Sequence, residues 1–303
     1  MSKEKLKLWE QREARVQKAL RCEPVDRVPF MFMGSGYIPR SMGVPLSKFC
    51  TDGELAVETT LDCLDSLDDI DGINLMVGGI YPANLASQWL SRIDVPGRQL
   101  PEDNMWQVHE DEDMKPEDYD LLLNEGWEAF IALMTPRIQD MELLKANQEW
   151  MAGHWAGLAG RYHERGFATL CGGIARIPFE VLCGARSMAS FFVDCYRMPD
   201  KVEEALEVIR PELLKLPKQL TDRSRLKSMW IGGWRSASAL LAPKIWDRFV
   251  FPHLKKLVLE MHKNDIFCVL HFDQNWDRDI ERLLEFPRHA CAFSGDGFTD
   301  LKR

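Results

Sequence analysis

Short apolar runs alternate with longer stretches of helical periodicity along this chain. The apolar runs predict six strands, which begin near residues 28, 73, 168, 228, 266 and 290. These runs are continuously apolar, which is typical of strands that are covered on both faces. Because predicted strands and helices alternate, the pattern favours right-handed crossovers and a parallel sheet.

The predicted helices fill most of the remaining chain. They cover about 3–21, 52–63, 178–185, 187–196, 200–220, 243–264 and 277–284, and a broken helical region covers about 116–165. Residues 80–113 show little periodicity, so we expect a loop there with at most one hairpin. The chain has no duplicated segment and no low-complexity linker, which favours a single domain over residues 1–303.

Composition and charge exclude several classes of protein. The 303 residues are 46% hydrophobic and 28% charged, which is ordinary for a globular protein and excludes a disordered chain. With 38 Lys and Arg against 47 Asp and Glu, the net charge is −9, and such a surface disfavours nucleic acid as a partner. No stretch approaches the roughly 20 apolar residues of a membrane span, and no secretory signal is present. Eight cysteines without a Cys-x-x-Cys pair indicate reduced thiols, so we expect a cytoplasmic protein.

Candidate functional residues follow the predicted strands. In an α/β barrel the loops after the strands form the active-site face. That position gives a set of substrate-binding candidates, namely Tyr37, Asn74, Arg176, Trp234 and Arg235. Each arginine could bind a carboxylate or form an ordinary surface ion pair.

The most specific pattern is His271-Phe272-Asp273 at the end of the fifth predicted strand. Alternate residues of a strand point to the same side, so the imidazole and the carboxylate can face one centre. Asp296, at the end of the next strand, could complete the group. These catalytic candidates could bind Zn²⁺ or perform acid–base chemistry. The alternative is a histidine that is hydrogen-bonded to a loop, with aspartates that cap helices.

Several segments resemble the uroporphyrinogen decarboxylase superfamily. They are Asp26–Pro29 with Met33–Pro39, Cys171–Phe179, Pro199–Glu204 and Pro243–Lys255, and the resemblance covers nearly all of the chain outside about 80–165. His271 and Asp296 fall where that family has a strand-end His and an Asp. The resemblance implies one (β/α)8 TIM barrel. Only about six of its eight strands are found in residues 1–303, so we expect the C-terminal units to be missing.

True decarboxylases of that superfamily act in porphyrin biosynthesis on a tetrapyrrole with eight carboxylates, without a cofactor. They use an arginine-rich opening loop. The matching segment here, from Gly34 to Tyr37, has neither arginine, so the carboxylates would lack cationic partners.

The other branch contains corrinoid-linked methyltransferases, which use cobalamin-type cofactors and have a zinc site of the form His-x-Cys plus a later Cys. Here His271-x-Asp273 has the same spacing, with Asp in place of the first Cys. Residues 1–303 do not include the position of the later Cys. The resemblance therefore implies a methyltransferase that moves a methyl group between a methylated small molecule and a corrinoid protein, with zinc held by His271 and Asp273 as one option. The alternatives are a uroporphyrinogen decarboxylase and a non-catalytic tetrapyrrole-binding barrel.

Overall fold

The computed structural model describes residues 2–300 and residue 302. Its strands are β1 (Met31–Phe32), β2 (Gly72–Leu75), β3 (Arg92–Asp94), β4 (Gln107–His109), β5 (Ala168–Cys171), β6 (Ile174–Ala175), β7 (Ser228–Gly233), β8 (Phe267–Phe272) and β9 (Cys291–Ser294). All pairs except β3 with β4 are parallel.

The α-helices lie between and around these strands. They are α1 (Lys3–Leu20), α2 (Tyr37–Ser41), α3 (Leu46–Thr51), α4 (Gly53–Asp65), α5 (Tyr81–Trp89), α6 (Asp118–Ile138), α7 (Met141–Glu164), α8 (Pro178–Arg186), α9 (Met188–Arg197), α10 (Pro199–Ser224), α11 (Pro243–Phe249) and α12 (Phe251–Lys263). Two short 3₁₀ helices cover Ser238–Leu240 and Ile280–Glu285.

The parallel strands follow one another in chain order, as β1-β2-β5 and β6-β7-β8-β9. Strands β5 and β6 belong to one stretch that is interrupted at Gly172 and Gly173. The N–H of Gly172 donates to the carbonyl of Ser228 at 2.9 Å, and that of Trp230 donates to the carbonyl of Gly173 at 3.0 Å. This stretch therefore pairs with β2 on one side and β7 on the other. Within the described residues β1 and β9 do not pair with each other, so the fold is mixed α/β with parallel sheets and no closed ring.

The two faces of β7 and β8 are buried in different ways. Ile231 and Leu270 are fully buried in the large apolar core between sheet and helices. On the opposite face Val269 and the half-buried Trp230 pack in a smaller cluster with Val16 of α1. His271 follows Leu270 and lies on the face of Val269, as the alternation of side chains along a strand requires. The face with the smaller cluster is therefore the one that presents His271.

The six predicted strands are confirmed, although the first is shorter and more exposed than the sequence indicates. Only Met31 and Phe32 of the apolar run from Val28 to Met33 pair with a neighbour. The side chains of Val28 and Phe30 are 83% and 53% exposed. The prediction of a buried strand is wrong at this edge, because no described element covers it.

The region 80–113 is more ordered than predicted, since it contains α5 and the antiparallel pair β3–β4. Pro82 stands in the first turn of α5, where its missing N–H costs nothing. Within the region 116–165, which was predicted to be broken helix, α7 runs without a break from Met141 to Glu164, and the interruption lies in α6, at Gly126 with φ of 85° and ψ of −173°.

The long helix predicted for 243–264 is divided at Val250, whose φ of −112° and ψ of −63° are not those of a regular helix. Pro252 lies two residues later, and its ring and missing N–H disfavour an unbroken helix. The last predicted helix, 277–284, is the 3₁₀ helix Ile280–Glu285.

Among the described residues, no helix has both the length and the apolar character needed to cross a membrane.

Candidate functional site

His271 and Asp273 form a hydrogen-bonded pair at the carboxyl end of β8. The Nε2 of His271 lies 2.9 Å from Oδ1 of Asp273. The histidine side chain is 20% exposed and that of Asp273 is 62% exposed, so the pair opens to solvent through the aspartate. An ionised carboxylate can only accept, so the hydrogen of this bond belongs to Nε2. The His271–Asp273 pair can therefore hold a proton at the carboxyl end of β8.

Ser294 is a member of this group that the sequence did not indicate. It ends β9 and is the register partner of His271, and its Oγ lies 3.1 Å from Nδ1 of the histidine. With the proton on Nε2, Nδ1 accepts from the serine hydroxyl. The only signal in the sequence is the place of Ser294 at the end of an apolar run, and serine is too common at strand ends to be singled out.

Asp296 is not part of the hydrogen-bonded group around His271. Its Oδ1 accepts from the backbone N–H groups of Phe298 and Thr299, at 3.1 and 2.8 Å, and from the Thr299 hydroxyl at 2.7 Å. The same hydroxyl accepts from the N–H of Trp276 at 3.0 Å. Asp296 thus stabilises the turn after β9 and joins it to the loop after β8.

The donor set does not fit a zinc site. Structural zinc needs four ligands and catalytic zinc three from the protein. Both ring nitrogens of His271 already have side-chain partners, and Asp296 is engaged in its turn. Within 2–300 and 302, no three His, Cys, Asp or Glu side chains are grouped as a metal site would need. We therefore assign no reaction step to a metal.

Tyr37 and Asn74 follow other strands and have separate contacts. Tyr37 begins α2 and is 53% exposed, with its ring edge-on to Phe32 at 5.8 Å between centroids. The thiol of Cys171 donates to Oδ1 of Asn74 at 3.4 Å, which ties β5 to β2. Neither side chain has a hydrogen bond to His271 or Asp273.

Trp234 lies after β7 in a cluster of tryptophans. Its ring packs edge-on against Trp89 at 4.9 Å, and Trp89 lies 5.5 Å from Trp106. The guanidinium of Arg235 stacks over Trp234 at 4.1 Å from the ring centroid. The buried ring of Trp89 and the half-buried rings of Trp106 and Trp234 form an apolar surface beside the loop after β7.

Arg235 is fully buried and is neutralised by two glutamates. Its Nη2 donates to Glu110 at 2.9 Å and to the Ser91 hydroxyl at 3.2 Å, and Nη1 lies 3.9 Å from Glu180. A guanidinium with two carboxylate neighbours has no unbalanced charge to offer a ligand. Its contacts indicate that it holds the loop after β7 in place.

Glu180 of α8 is the second residue that the sequence did not indicate. Its carboxylate accepts from the backbone N–H groups of Arg235 at 3.3 Å and Ser236 at 2.8 Å. Burial raises its pKa, and the positive charge of Arg235 opposes that effect. A Cβ at Gly233 would lie 2.3 Å from the Glu180 carboxylate, so glycine is required there for this approach. The signal that the sequence offered was a single acidic residue, Glu180, among the mostly apolar residues of α8.

Arg176 follows β6 and has a different environment from Arg235. Its Nη1 donates to the carbonyl of Ser87 at 2.6 Å, and its guanidinium lies 6.0 Å from the Trp127 ring centroid. The structure gives Arg176 no ion pair with any described carboxylate.

Comparison with known proteins identifies a similar fold. No family model matches the chain, and no curated protein matches it. Among solved structures, a methyltransferase from Methanosarcina mazei is similar, with a TM-score of 0.60 and 18% sequence identity. The match covers 87% of this chain and 70% of the methyltransferase chain. At this identity the likeness is one of fold.

Proposed function

We propose that this chain is a methyltransferase of the uroporphyrinogen decarboxylase superfamily. It would move a methyl group between a methylated small molecule and a corrinoid carried by a partner protein. The observation that supports this most directly is the likeness of its fold to the Methanosarcina mazei methyltransferase. The same likeness supports a barrel-type arrangement of the six parallel strands.

The His271–Asp273 pair would supply the proton that methyl transfer requires. When a methyl group leaves a heteroatom, the bonding electron pair stays on that heteroatom, which must then be protonated. The imidazolium form of His271 would be the acid: its Nε2 proton, held against the partly exposed carboxylate, would pass to the leaving heteroatom and leave the neutral imidazole. The corrinoid, as co-substrate, supplies the electron pair that accepts the methyl group. In the reverse direction the pair takes the proton back.

A decarboxylase is the less favoured activity. The loop from Gly34 to Tyr37 has no cation, and Arg235 is already neutralised by Glu180 and Glu110. Eight substrate carboxylates would find few free partners. The chain is therefore expected not to convert uroporphyrinogen.

The test uses the purified chain with free cob(I)alamin and a panel of small methylated alcohols, amines, ethers and thioethers. Methylation of the cobalt is followed by its absorbance. We expect turnover with at least one compound and a fall in kcat of about 100-fold in His271→Gln, the usual size of a lost acid–base group. His154→Gln, at an exposed position of α7, is the matched control.

Three results would contradict the proposal. One is the absence of methyl transfer with every compound of the panel. Another is coproporphyrinogen formation from uroporphyrinogen at an ordinary enzymatic rate. The third is equal kcat in His271→Gln and the wild type. Zinc that copurifies with the wild type and is lost in His271→Gln would instead restore the metal as the group that acts at this site.

A further inference from the structure

The two arginines that follow strands at the candidate site differ in how their charges are balanced. Arg235 lies between Glu180 and Glu110. Arg176 is half-buried, and among the described residues its one hydrogen bond is with a neutral carbonyl, that of Ser87. A guanidinium has five N–H donors, so most of those of Arg176 remain available.

The guanidinium of Arg176 is destabilised in its charged form, because no described carboxylate balances it. Burial lowers the pKa of Arg176 to about 10, because a charged group is disfavoured away from water and no described carboxylate compensates for it. An anion that binds here would replace lost hydration and form charge-assisted hydrogen bonds. Of the two arginines, Arg176 is thus the one suited to a negatively charged ligand.

The strand register determines where Arg176 stands relative to the catalytic pair. Ala175 of β6 is paired with Ile231 of β7, and Ile231 is paired with Leu270 of β8. All three side chains are fully buried in the core between sheet and helices. The next residue after each of them therefore belongs to the opposite face; for β6 this residue is the first one after the strand, and Ile177 beyond it is again buried in the same core.

Those next residues are Arg176, Gly232 and His271. Arg176 and His271 stand at one level of the sheet, two strand spacings apart, which corresponds to about 10 Å between their backbones. Gly232 lies between them and has no side chain. The pair Gly232–His271 is in direct register.

Trp230 covers the space that Gly232 leaves. A Cβ on Gly232 would lie 2.6 Å from the Trp230 ring. The same ring is 5.5 Å from that of His271, and its buried indole N–H has no hydrogen-bond partner among the described residues. A flat, apolar ring therefore adjoins His271 on the side of Gly232, the strand position between His271 and Arg176.

We propose that Arg176 binds a carboxylate of the substrate, whose apolar middle lies on Trp230 and whose methylated end reaches His271. The substrate class is thus a methylated carboxylic acid about 10 Å or less in length. The identity of the methylated end rests on the proposed function, whereas anion binding by Arg176 does not.

The experiment measures binding by the full chain, without corrinoid, so that it is independent of methyl transfer. Benzoate and benzamide are the probes, since both present the same ring and only benzoate is charged. Affinities are determined by calorimetry or ligand-observed NMR for the wild type, Arg176→Gln, Arg176→Lys and Arg223→Gln. Arg223 is the matched control, because it also donates to a carbonyl, that of Met151, at 3.2 Å.

We expect the wild type to bind benzoate about tenfold more tightly than benzamide. Arg176→Gln should remove that preference, with benzamide affinity unchanged, and Arg176→Lys should keep part of it. Arg223→Gln should behave as the wild type. Unchanged benzamide binding also shows that the Gln variant is folded.

The proposal is overturned if benzoate and benzamide bind equally, if Arg176→Gln keeps the preference, or if benzoate does not bind at tens of millimolar. If benzoate binding depends on Arg176 but the chain transfers no methyl group, the proposed anion site stands and the proposed methyltransferase activity is contradicted.

Discussion

The hydroxyl of Ser294 restrains the imidazole of His271 from the neighbouring strand. It lies 3.1 Å from Nδ1, on the side of the ring away from Asp273. The carboxylate of Asp273 can only accept and so keeps a proton on Nε2, whereas the serine hydroxyl, which can donate or accept, holds the orientation of the ring. Ser294 is therefore a positioning residue for the proposed proton transfer.

Ser294→Ala is expected to lower kcat of methyl transfer about fivefold, the worth of one neutral hydrogen bond, with little change in KM. Ser294→Thr, which keeps the hydroxyl, should restore most of the rate. Ser66→Ala is the control, since the Ser66 hydroxyl bonds only a local carbonyl at the end of α4. A higher KM with unchanged kcat in Ser294→Ala would place the residue in substrate binding instead.

Some contacts of the candidate site could be predicted from the sequence alone. The pairing of His271 with Asp273 follows from the alternation of a single strand, which is local information. Ser294 is 23 residues from His271, and their contact depends on strand register. Glu110 is 125 residues from Arg235, so the sequence alone could not distinguish the neutralised arginine from Arg176.

At the scale of elements, Asp71 joins α1 and the segment before β1 to the start of β2. It is fully buried and accepts from Arg15 of α1, from Arg27 at 2.7 and 3.0 Å, and from the N–H of Phe30 at 2.8 Å. Arg15 also donates to Asp26 through two hydrogen bonds of 2.7 Å, and Arg27 is partly exposed, so the loss of Asp71 leaves the buried Nη1 of Arg15 and the N–H of Phe30 without their acceptor.

Asp71→Ala is expected to lower the free energy of unfolding by about 3–5 kcal/mol, as the loss of one partner of a buried ion pair does. The measurement is urea unfolding followed by circular dichroism. Asp69→Ala, two residues away and exposed, should change stability by less than about 1 kcal/mol. Equal effects of the two substitutions would show that the network adds no stability.

His253 introduces a pH dependence into the packing of α12. It is 2% exposed, and its Nδ1 has no hydrogen-bond partner within the part of the chain that the structure describes. Burial lowers the pKa of His253 to about 4, and the negative charge of Glu207 opposes that effect. The unfolded chain, with an ordinary pKa of 6.5, binds the proton more readily than the folded chain. Protonation therefore favours unfolding as the pH falls from 6.5 towards 4, and has little effect above 7.

Between pH 7 and pH 5 this single group should remove about 2 kcal/mol of stability from the wild type. In His253→Leu that share of the pH dependence should disappear, which is measured by urea unfolding at both pH values. His262→Leu, an exposed histidine of the same helix, should retain the wild-type pH dependence. Parallel pH profiles for wild type and His253→Leu would contradict the assignment.

Element type and order could be predicted from periodicity, whereas several boundaries could not. The spacing of apolar residues that distinguishes a strand from a helix lies within each segment of the sequence. By contrast, the exposure of Val28 depends on neighbours in space, whereas the break between α11 and α12 at Val250 has a local cause, Pro252, that the sequence already contains. Helix α5 was missed because its sequence mixes small, polar and aromatic residues, and its burial against α7 and α8 is a tertiary effect.

At the scale of the whole molecule, the run of parallel strands has two open edges. Strands β1 and β9 each pair with one neighbour in the described chain. Exposed apolar side chains lie near both edges, with Val28 and Phe298 each 83% exposed, together with Phe30 and Met33 at 53% and 48%. Unpaired strand edges beside apolar surface are sites at which other chains can add.

The 303-residue chain is therefore expected to self-associate, with a weight-average mass above the 35.0 kDa of one copy that rises with concentration. Val28→Lys and Phe298→Lys place a charge beside each edge and should shift the population towards the monomer, because an added strand would have to desolvate the lysine. Leu216→Lys, at a 48% exposed position of α10 away from the strands, is the control and should not. Sedimentation equilibrium measures the mass directly. A wild type that stays monomeric at all concentrations and melts cooperatively would show that these edges do not associate.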